Sequence, residues 1–300
     1  MAIPAILPYS LAFAAELPQN RVSWKAEADR SVLLIHDMQQ YFLAAYQSEN
    51  SPLAELLRNI QLLKKQCKEL GIPVIYTVQP GAQKPEDRAL LRDFWGPGLA
   101  DEPEQTKIAD AIAPDDQDIV LTKWRYSAFK RTRLLEIMRG QGRDQLIICG
   151  VYAHIGCLLT AGDAFMQDLE TFFVGDAVAD FSLDHHRIAI NYAAGCCSFV
   201  TSTELVLSQL TDNRSFFGVV EDNSTQPLTL QRVRKQVAEL LGETAADLTD
   251  HESLVDRGLD SIRMMSLVEQ WRRISTDITF IKLAKEPTIY SWWELLSAKK

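Results

Sequence analysis

The chain has 300 residues, 47% of them hydrophobic, which is enough apolar material for one large domain and a second small one. Its formal net charge is -9 at pH 7, and the acidic excess lies in residues 1–225, because residues 226–300 are balanced. There is no basic stripe of the kind that releases phosphate counterions, so we do not expect a nucleic-acid-binding protein.

The N-terminal segment MAIPAILPYSLAFAAEL is apolar, but it contains two prolines and no Lys or Arg before Arg21, which argues against a signal peptide. No apolar run reaches the roughly 18 residues that a membrane span needs. The cysteines form no C-x-x-C pair, as is typical of reduced thiols, and the histidines lack metal-ligand spacing. We therefore expect a cytoplasmic protein with no membrane span and no metal.

Short apolar runs alternate with helical periodicity in the first two thirds of the chain. The runs that read as strands lie at residues 31–38, 72–78, 118–124, 145–153, 171–178 and 198–201. Helices are predicted at 53–70, where apolar residues recur every three or four positions, and near 131–140, 157–170 and 184–194. This alternation predicts an α/β fold, a parallel sheet with helices on both faces, whose ligands bind at the carboxyl ends of the strands.

The pattern changes in the last quarter of the chain. Residues 211–227, TDNRSFFGVVEDNSTQP, lose all periodicity, as expected of a linker. Beyond them LTLQRVRKQVAELLG predicts an amphipathic helix ended by Gly242, SIRMMSLVEQWRRI predicts a second, and the tail predicts one or two more. We expect two domains, 1–210 and 228–300, of which the second is a small all-α bundle.

Candidate catalytic residues lie where the predicted strands end. Asp37 ends the first strand, Lys123 lies near the end of the third, and the turn 150–156 follows the fourth, so they should meet at one edge of the sheet. His36 precedes Asp37, but side chains alternate along a strand, so we expect the two to point in opposite directions. From this pattern alone, Asp37 fits equally as a turn cap and Lys123 as a solvated surface charge.

The stretches LLIHDMQ, TKWRYSAF, GVYAHIGCLLTAGDAFM and QPGAQKPEDRALLRDFWGPGL resemble the isochorismatase branch of the cysteine-hydrolase-like family, across nearly all of residues 1–210. In amidase relatives a nucleophilic cysteine stands where this chain has Gly156. Cys157 is one residue further, which rotates its side chain by about 100° along a helix, toward the packed face. Zinc-using relatives carry Asp-x-His after the second strand, where this chain has Gln79-Pro80-Gly81. Both differences argue against amide hydrolysis.

The resemblance implies hydrolysis of the vinyl ether of isochorismate to 2,3-dihydro-2,3-dihydroxybenzoate and pyruvate. Asp37 would protonate the methylene carbon as general acid, Lys123 would orient Asp37 and bind substrate oxygens, and Gly156 would leave space for the substrate. A nearby ammonium lowers the pKa of an aspartate, so Asp37 needs a closed, dry pocket and the substrate's carboxylates to act as an acid.

The resemblance also implies substrate-binding residues, with Arg88 as the expected carboxylate clamp unless it forms a surface ion pair with Asp87 or Glu86. Those residues are Phe42, Gln79, Arg88, Trp95 and Tyr152, together with backbone near Gly156. Of these, Phe42 and Trp95 fit equally as core residues. Relatives have a non-proline cis peptide at the position of Val151–Tyr152.

The stretch GLDSI at 258–262 places Ser261 at the start of a helix, where serine is also common as an ordinary cap. Residues 228–295 resemble aryl carrier proteins, in which the serine of a G-x-D-S motif carries 4′-phosphopantetheine. The phosphodiester would meet the unpaired N–H groups and positive dipole end of the helix. Of the neighbouring residues, Ile262, Met265 and Val268 are expected in the bundle core. Arg263 and Met264 are expected either to be exposed toward partner enzymes or to be ordinary surface or bundle residues.

Together the two resemblances imply a bifunctional isochorismatase and aryl carrier protein, as in catecholate siderophore synthesis by nonribosomal peptide synthesis. The implied partners are isochorismate, a phosphopantetheinyl transferase, a 2,3-dihydroxybenzoate-AMP ligase and a nonribosomal peptide synthetase condensation domain, and relatives imply a homo-oligomer. Two alternatives stay open here. One is a cysteine-type amidase using Cys157, and the other is a non-catalytic scaffold with a helical docking domain.

Overall fold

The computed structural model describes residues 3–11, 17–46, 52–212, 229–241, 243–245, 247–259, 263–264, 267–268, 271 and 278–297. The chain divides into two compact units, Met1–Val220 and Glu221–Lys300. No helix within the described ranges is long and apolar enough to cross a membrane.

The first unit is built on one sheet of six parallel strands, which are Ser31–His36 (β1), Val74–Val78 (β2), Ile119–Thr122 (β3), Gln145–Val151 (β4), Glu170–Ala179 (β5) and Phe199–Thr201 (β6). Their order in the sheet is β3-β2-β1-β4-β5-β6. Successive strands are added to one side of β1 as far as β3 and then to its other side from β4. The reversal between β1 and β4 opens a crevice at the carboxyl ends of the strands, where α/β proteins bind ligands.

Helices cover both faces of this sheet, and β1 is therefore buried on both sides. Leu33 and Ile35 pack in one apolar cluster with Leu56 of the helix Leu53–Glu69. Val32 and Leu34 pack on the other face with residues of Leu158–Phe165 and Leu183–Cys196. The remaining helices of this unit are Gln40–Leu43, Pro85–Arg88, Leu91–Trp95, Pro103–Thr106, Leu134–Gly140 and Thr203–Asp212, with a 3₁₀ turn Asp110–Ile112 and a π-helical turn Ala153–Cys157. The predicted fold class is confirmed.

The sequence pattern missed several short elements. The helices between residues 85 and 106 have four or five residues each, too few to show a helical period. The helix Thr203–Asp212 was not predicted, and the helix expected from 157 is preceded by the π-helical turn Ala153–Cys157. The linker expected at 211–227 lies outside the described residues, apart from two residues that end Thr203–Asp212.

The second unit is helical in its described residues, as predicted. Helices with described bounds lie at Leu230–Leu241, Phe280–Lys285 and Ile289–Ser297, and residues 263–264, 267–268 and 271 are also helical. Their apolar faces meet around two buried tryptophans, Trp271 and Trp292, whose rings stand edge to face at 5.6 Å. Each indole N–H is satisfied, that of Trp271 by Gln236 and that of Trp292 by the carbonyl of Leu283. This is a small all-α bundle with its own core.

Of the positions expected for Met264, the structure shows the one in the bundle and not the exposed one. Met264 is only 4% exposed and packs in the bundle core with Leu267, Val268 and Trp271. The reason is the helical spacing, since residues three, four and seven apart share one face. Arg263 is exposed and Val268 is buried, both as expected. Ser261, Ile262, Met265 and Gly242 lie outside the described residues.

Candidate active site

Asp37 directly follows β1 and has a left-handed backbone conformation, with φ of 49°. Its Oδ2 lies 2.8 Å from Nζ of Lys123 and accepts a hydrogen bond of 3.1 Å from Nε2 of Gln79. Its Oδ1 accepts a hydrogen bond of 2.8 Å from the hydroxyl of Thr77. Asp37 is 4% exposed and Lys123 is 1% exposed. A buried ion pair therefore joins the ends of β1 and β3, and the hydrogen bonds from Thr77 and Gln79 join the end of β2 to it.

The donors around Asp37 stabilise its anion. Burial acts to raise the pKa of this carboxyl, but the charge of Lys123 and the hydrogen bonds outweigh it, so the pKa of Asp37 is lowered. Without substrate, Asp37 is therefore a carboxylate at neutral pH.

The prediction that His36 points away from Asp37 is wrong. Nδ1 of His36 lies 3.8 Å from Oδ1 of Asp37, because the left-handed conformation of Asp37 interrupts the alternation of side chains. The ring nitrogens of His36 face two carbonyl oxygens, those of Val151 at 3.0 Å and Tyr126 at 3.3 Å. Burial lowers the pKa of His36 to about 4, so the ring is neutral at pH 7 and forms no ion pair with Asp37.

Gly156 lies in the π-helical turn after β4 and faces the imidazole of His36. A Cβ placed on Gly156 would be 2.2 Å from Cε1 of His36, so a larger residue does not fit unless the ring moves. The next residue, Cys157, is fully buried in the core on one face of the sheet. Burial raises the pKa of its thiol well above the usual value, which keeps it protonated and a poor nucleophile.

A cavity lies at this edge of the sheet, with about 570 Å³ of space that includes open solvent. The structure brings all eight residues predicted for the hydrolase site to its lining, namely Asp37, Phe42, Gln79, Arg88, Trp95, Lys123, Tyr152 and Gly156. Cys157 is not among the lining residues. The cavity is thus bounded by an acid, a cation and a glycine, without a thiol.

Arg88 is 4% exposed, and no ion pair joins it to Asp87 or Glu86 in the described structure. Its Nε donates a hydrogen bond of 2.6 Å to the carbonyl of Gly96, while its Nη1 is buried with no hydrogen-bond partner among the described residues. Burial lowers the pKa of Arg88, although arginine stays charged at neutral pH. A buried guanidinium N–H without a partner, on the wall of a cavity, has the chemistry of an anion site.

The aromatic residues serve both the core and the cavity. Phe42 belongs to the apolar core yet lines the cavity, and its carbonyl accepts a hydrogen bond of 2.7 Å from the hydroxyl of Tyr152. The Tyr152 hydroxyl is therefore engaged with backbone, so Tyr152 offers the cavity mainly its ring. Trp95 donates its indole N–H to the hydroxyl of Tyr126 at 2.7 Å. The Val151–Tyr152 peptide is cis, as the family resemblance implied.

Sequence reasoning missed several lining residues, among them Tyr41, Arg125, Tyr126 and Phe181. Arg125 and Tyr126 follow Lys123 after β3, and Phe181 follows β5, so the rule of strand ends points to their region. That rule does not tell which of several consecutive side chains turns inward. With Arg125 included, three cationic side chains and one carboxylate line the cavity, which favours an anionic ligand.

No group of three or more His, Cys, Asp or Glu side chains is placed to hold a metal ion in the part of the chain that the structure describes. The expectation that the hydrolase needs no metal therefore stays a prediction.

The chain matches two family models. The isochorismatase domain matches residues 31–205, and the phosphopantetheine attachment site matches residues 231–296. A solved structure of a cysteine hydrolase from Pseudomonas syringae shares the fold of the first unit, with a TM-score of 0.59 and 24% identity, covering 66% of this chain and 99% of that one.

Two curated relatives match the whole chain. The protein named isochorismatase from Bacillus subtilis is 57% identical, covering 100% of this chain and 96% of the relative. Enterobactin synthase component B from Escherichia coli is 47% identical, covering 99% of both chains. Neither the amidase nor the scaffold alternative is favoured by this similarity. The chain belongs to the isochorismatase family, and it joins a hydrolase domain of that family to a phosphopantetheine-attachment domain.

Proposed function

We propose that the unit Met1–Val220 hydrolyses the vinyl ether of isochorismate to pyruvate and 2,3-dihydro-2,3-dihydroxybenzoate. The observation that carries this proposal is the buried pair of Asp37 and Lys123, 2.8 Å apart, in a cavity that Gly156 lines and Cys157 does not. Such a site supplies a proton but no attacking side chain. The name of the Bacillus subtilis relative, isochorismatase, supports the same reaction.

In this reaction Asp37 gives its proton to the methylene carbon of the enolpyruvyl group, which leaves an oxocarbenium ion at the ether carbon. Water adds to that carbon, and the proton that the water loses returns to the carboxylate of Asp37. The resulting hemiketal breaks its bond to the ring oxygen, which takes a proton and leaves as the diol, while the other fragment becomes pyruvate. Gly156 lines the cavity, but the His36 ring fills the space where its side chain would lie, so the expectation that Gly156 clears space for the substrate is not supported and it offers the ligand only its backbone.

Asp37 has to hold a proton, although its neighbours stabilise the anion in the free protein. The substrate brings two carboxylates into the cavity, where they offset the charges of Arg88, Lys123 and Arg125, and exclusion of water disfavours a further anion. Each unit of increase in the pKa of Asp37 requires about 1.4 kcal/mol. When Asp37 is protonated, the Gln79 carboxamide rotates so that its oxygen, instead of its N–H group, faces Asp37. That oxygen then accepts a hydrogen bond from the neutral carboxyl group.

The other lining residues bind the substrate. Arg88 clamps one carboxylate through its free Nη1, and Lys123 both orients Asp37 and contacts substrate oxygens. Phe42, Trp95 and Tyr152 form the apolar walls around the ring. The hydrolase needs no metal, because every step uses a proton or a water molecule.

We also propose that Ser261 is the residue to which 4′-phosphopantetheine is attached. Ser261 lies outside the described residues, so the assignment rests on the motif GLDSI and on the family match of residues 231–296. The first two residues of the motif are described. Gly258 takes a φ of 90°, and Leu259 is buried in the bundle core. Once attached, the arm supplies a thiol that holds an acyl group as a thioester.

The acyl group we propose is 2,3-dihydroxybenzoate, carried for siderophore assembly, as the name of the Escherichia coli relative supports. The proposed partners are a phosphopantetheinyl transferase, a 2,3-dihydroxybenzoate-AMP ligase and a condensation domain of a nonribosomal peptide synthetase. We place the protein in the cytoplasm, in keeping with its free cysteines, and propose a homo-oligomer, as the family resemblance implies.

Pyruvate release from isochorismate, followed with lactate dehydrogenase, tests the hydrolase proposal. We expect Asp37→Asn, which keeps the shape but has no transferable proton, to lower kcat by about 100-fold or more. Cys157→Ala should retain wild-type turnover, because the thiol lies outside the cavity. The opposite pattern, an active Asp37→Asn and an inactive Cys157→Ala, would show that the acid has been wrongly assigned.

A further inference from the structure

One phenol hydroxyl in the cavity has a defined orientation. The indole N–H of Trp95 donates to the hydroxyl oxygen of Tyr126 at 2.7 Å. Because an indole nitrogen can only donate, the Tyr126 oxygen is the acceptor and its own proton has to point elsewhere. Among the described residues no acceptor lies within hydrogen-bond distance of that proton. Both residues line the cavity, so a donor is available there for a ligand.

A second unsatisfied donor lines the same cavity. Nη1 of Arg88 is buried without a partner in the described structure, while Nε of the same guanidinium is held by the carbonyl of Gly96. After burial, which lowers the pKa of Arg88, the nearby phenols of Tyr41 and Tyr126 act to raise it, so both lie in the neighbourhood of the guanidinium. A carboxylate offers two oxygens with several lone pairs, so it can accept from both donors at once.

We propose that the Tyr126 hydroxyl is the second hydrogen-bond donor to the substrate carboxylate that Arg88 binds, and that Trp95 is a positioning residue for this hydroxyl. The inference rests on the proposed function, because its ligand is the substrate of that site. It gives Trp95 a polar role in addition to its place in the apolar wall.

The backbone around Tyr126 is also held in place. Its carbonyl faces Nε2 of the buried His36 at 3.3 Å, and the neighbouring carbonyl of Arg125 accepts a hydrogen bond of 2.8 Å from Nζ of Lys123. Tyr126 is therefore held at its main chain and at its hydroxyl. Tyr41 also lines the cavity, but in the described structure no hydrogen bond orients its hydroxyl, and its ring packs edge to face on Phe42.

The test removes one hydroxyl at a time from the full chain. We expect Tyr126→Phe to raise KM for isochorismate by about 10- to 100-fold with a much smaller effect on kcat, because a hydrogen bond to a charged group is lost in both ground and transition states. Affinity for 2,3-dihydroxybenzoate, measured by calorimetry, should fall by a similar factor. Tyr192→Phe, on the exposed face of Leu183–Cys196, is the matched control and should behave like the wild type.

Trp95→Phe tests the positioning role, since it keeps an aromatic ring in the wall while removing the N–H donor along with part of the ring surface. We expect it to raise KM in the wild-type background and to change KM by no more than about twofold in the Tyr126→Phe background, because the two residues act as one unit. If the KM of the double variant instead rose by the product of the two single-variant factors, the positioning role of Trp95 would be disproved.

Three outcomes separate this inference from the proposed function. A wild-type chain that releases no pyruvate contradicts the proposed function itself. An active wild type with unchanged KM and unchanged 2,3-dihydroxybenzoate affinity in Tyr126→Phe contradicts only the role of Tyr126. A loss of affinity in Tyr41→Phe without one in Tyr126→Phe assigns the second donor to Tyr41 and overturns the inference.

Discussion

His36 and Gly156, far apart in the sequence, are packed so closely that a Cβ on residue 156 would lie 2.2 Å from Cε1 of His36. The imidazole is fully buried and faces the carbonyl oxygens of Val151 and Tyr126, so it has little freedom to move. The family resemblance places the nucleophilic cysteine of amidases at the position of Gly156. The space that a side chain would need there is filled by the ring of His36, at the end of the neighbouring strand β1.

This contact predicts coupled effects of two substitutions. Gly156→Ala should destabilise the hydrolase unit by about 1–3 kcal/mol, because the added methyl group overpacks a buried site. In the His36→Ala background the same change should cost at least about 1 kcal/mol less, since the ring is absent. Calorimetric unfolding of the four chains measures the coupling.

Gly162→Ala is a matched control for that experiment. Gly162 lies in the helix Leu158–Phe165, and no heavy atom outside the helix's own neighbouring backbone would lie within 4 Å of an added Cβ. The substitution should be neutral or slightly stabilising, as alanine is the better helix former. Additive effects of Gly156→Ala and His36→Ala would contradict the close packing of the pair.

Stability of the hydrolase unit should fall as the pH decreases from 6.5 to 4. Burial lowers the pKa of both His36 and His186 from 6.5 to about 4. In this range the unfolded chain binds protons at both histidines and the folded chain does not, so stability is present above pH 6.5 and is lost toward pH 4. Each histidine contributes about 1.4 kcal/mol per pH unit at most.

Calorimetric unfolding at several pH values checks this slope. His36→Asn and His186→Asn should each reduce the loss of stability between pH 6.5 and 4, whatever their effect at pH 7. A wild-type unfolding temperature that does not change across this range would be inconsistent with two buried neutral histidines.

Thiol labelling of the folded chain should modify Cys196 and leave turnover intact. Cys196 is exposed, whereas Cys67, Cys149, Cys157 and Cys197 are buried. Burial also raises the pKa of the Cys157 thiol, so iodoacetamide should not react with it. Peptide mass spectrometry locates the label, and Cys196→Ser should abolish it. Modification of Cys157 together with loss of pyruvate release would revive the amidase interpretation.

Ser261 should accept one phosphopantetheine group. Incubation of the full chain with coenzyme A and a phosphopantetheinyl transferase should add the mass of a single arm, and Ser261→Ala should prevent it. Ser253→Ala, in the loop that precedes the motif, is the control and should be modified like the wild type. Intact-mass spectrometry reads the result, and an arm that is still added to Ser261→Ala would exclude Ser261 as the attachment residue.

The fold class and the general position of the site follow from local sequence patterns. Each strand from β1 to β6 is marked by its own apolar run, and the helix Leu53–Glu69 by its own repeat, so no knowledge of distant residues is needed. The rule that ligands bind at strand ends then indicates Asp37 and Lys123, although not what they do. The short helices between residues 85 and 106 were not predicted, because a single turn of helix is too short to show a periodic pattern of apolar residues.

Tertiary structure decided which side chains meet. The left-handed conformation of Asp37 brought its carboxylate within 3.8 Å of His36, against the alternation expected of a strand. The closeness of His36 to Gly156 and the hydrogen bond from Trp95 to Tyr126 join segments separated by long stretches of chain. A sequence encodes periodicity locally, but contacts between distant residues arise only when whole elements pack, so no local pattern reveals them.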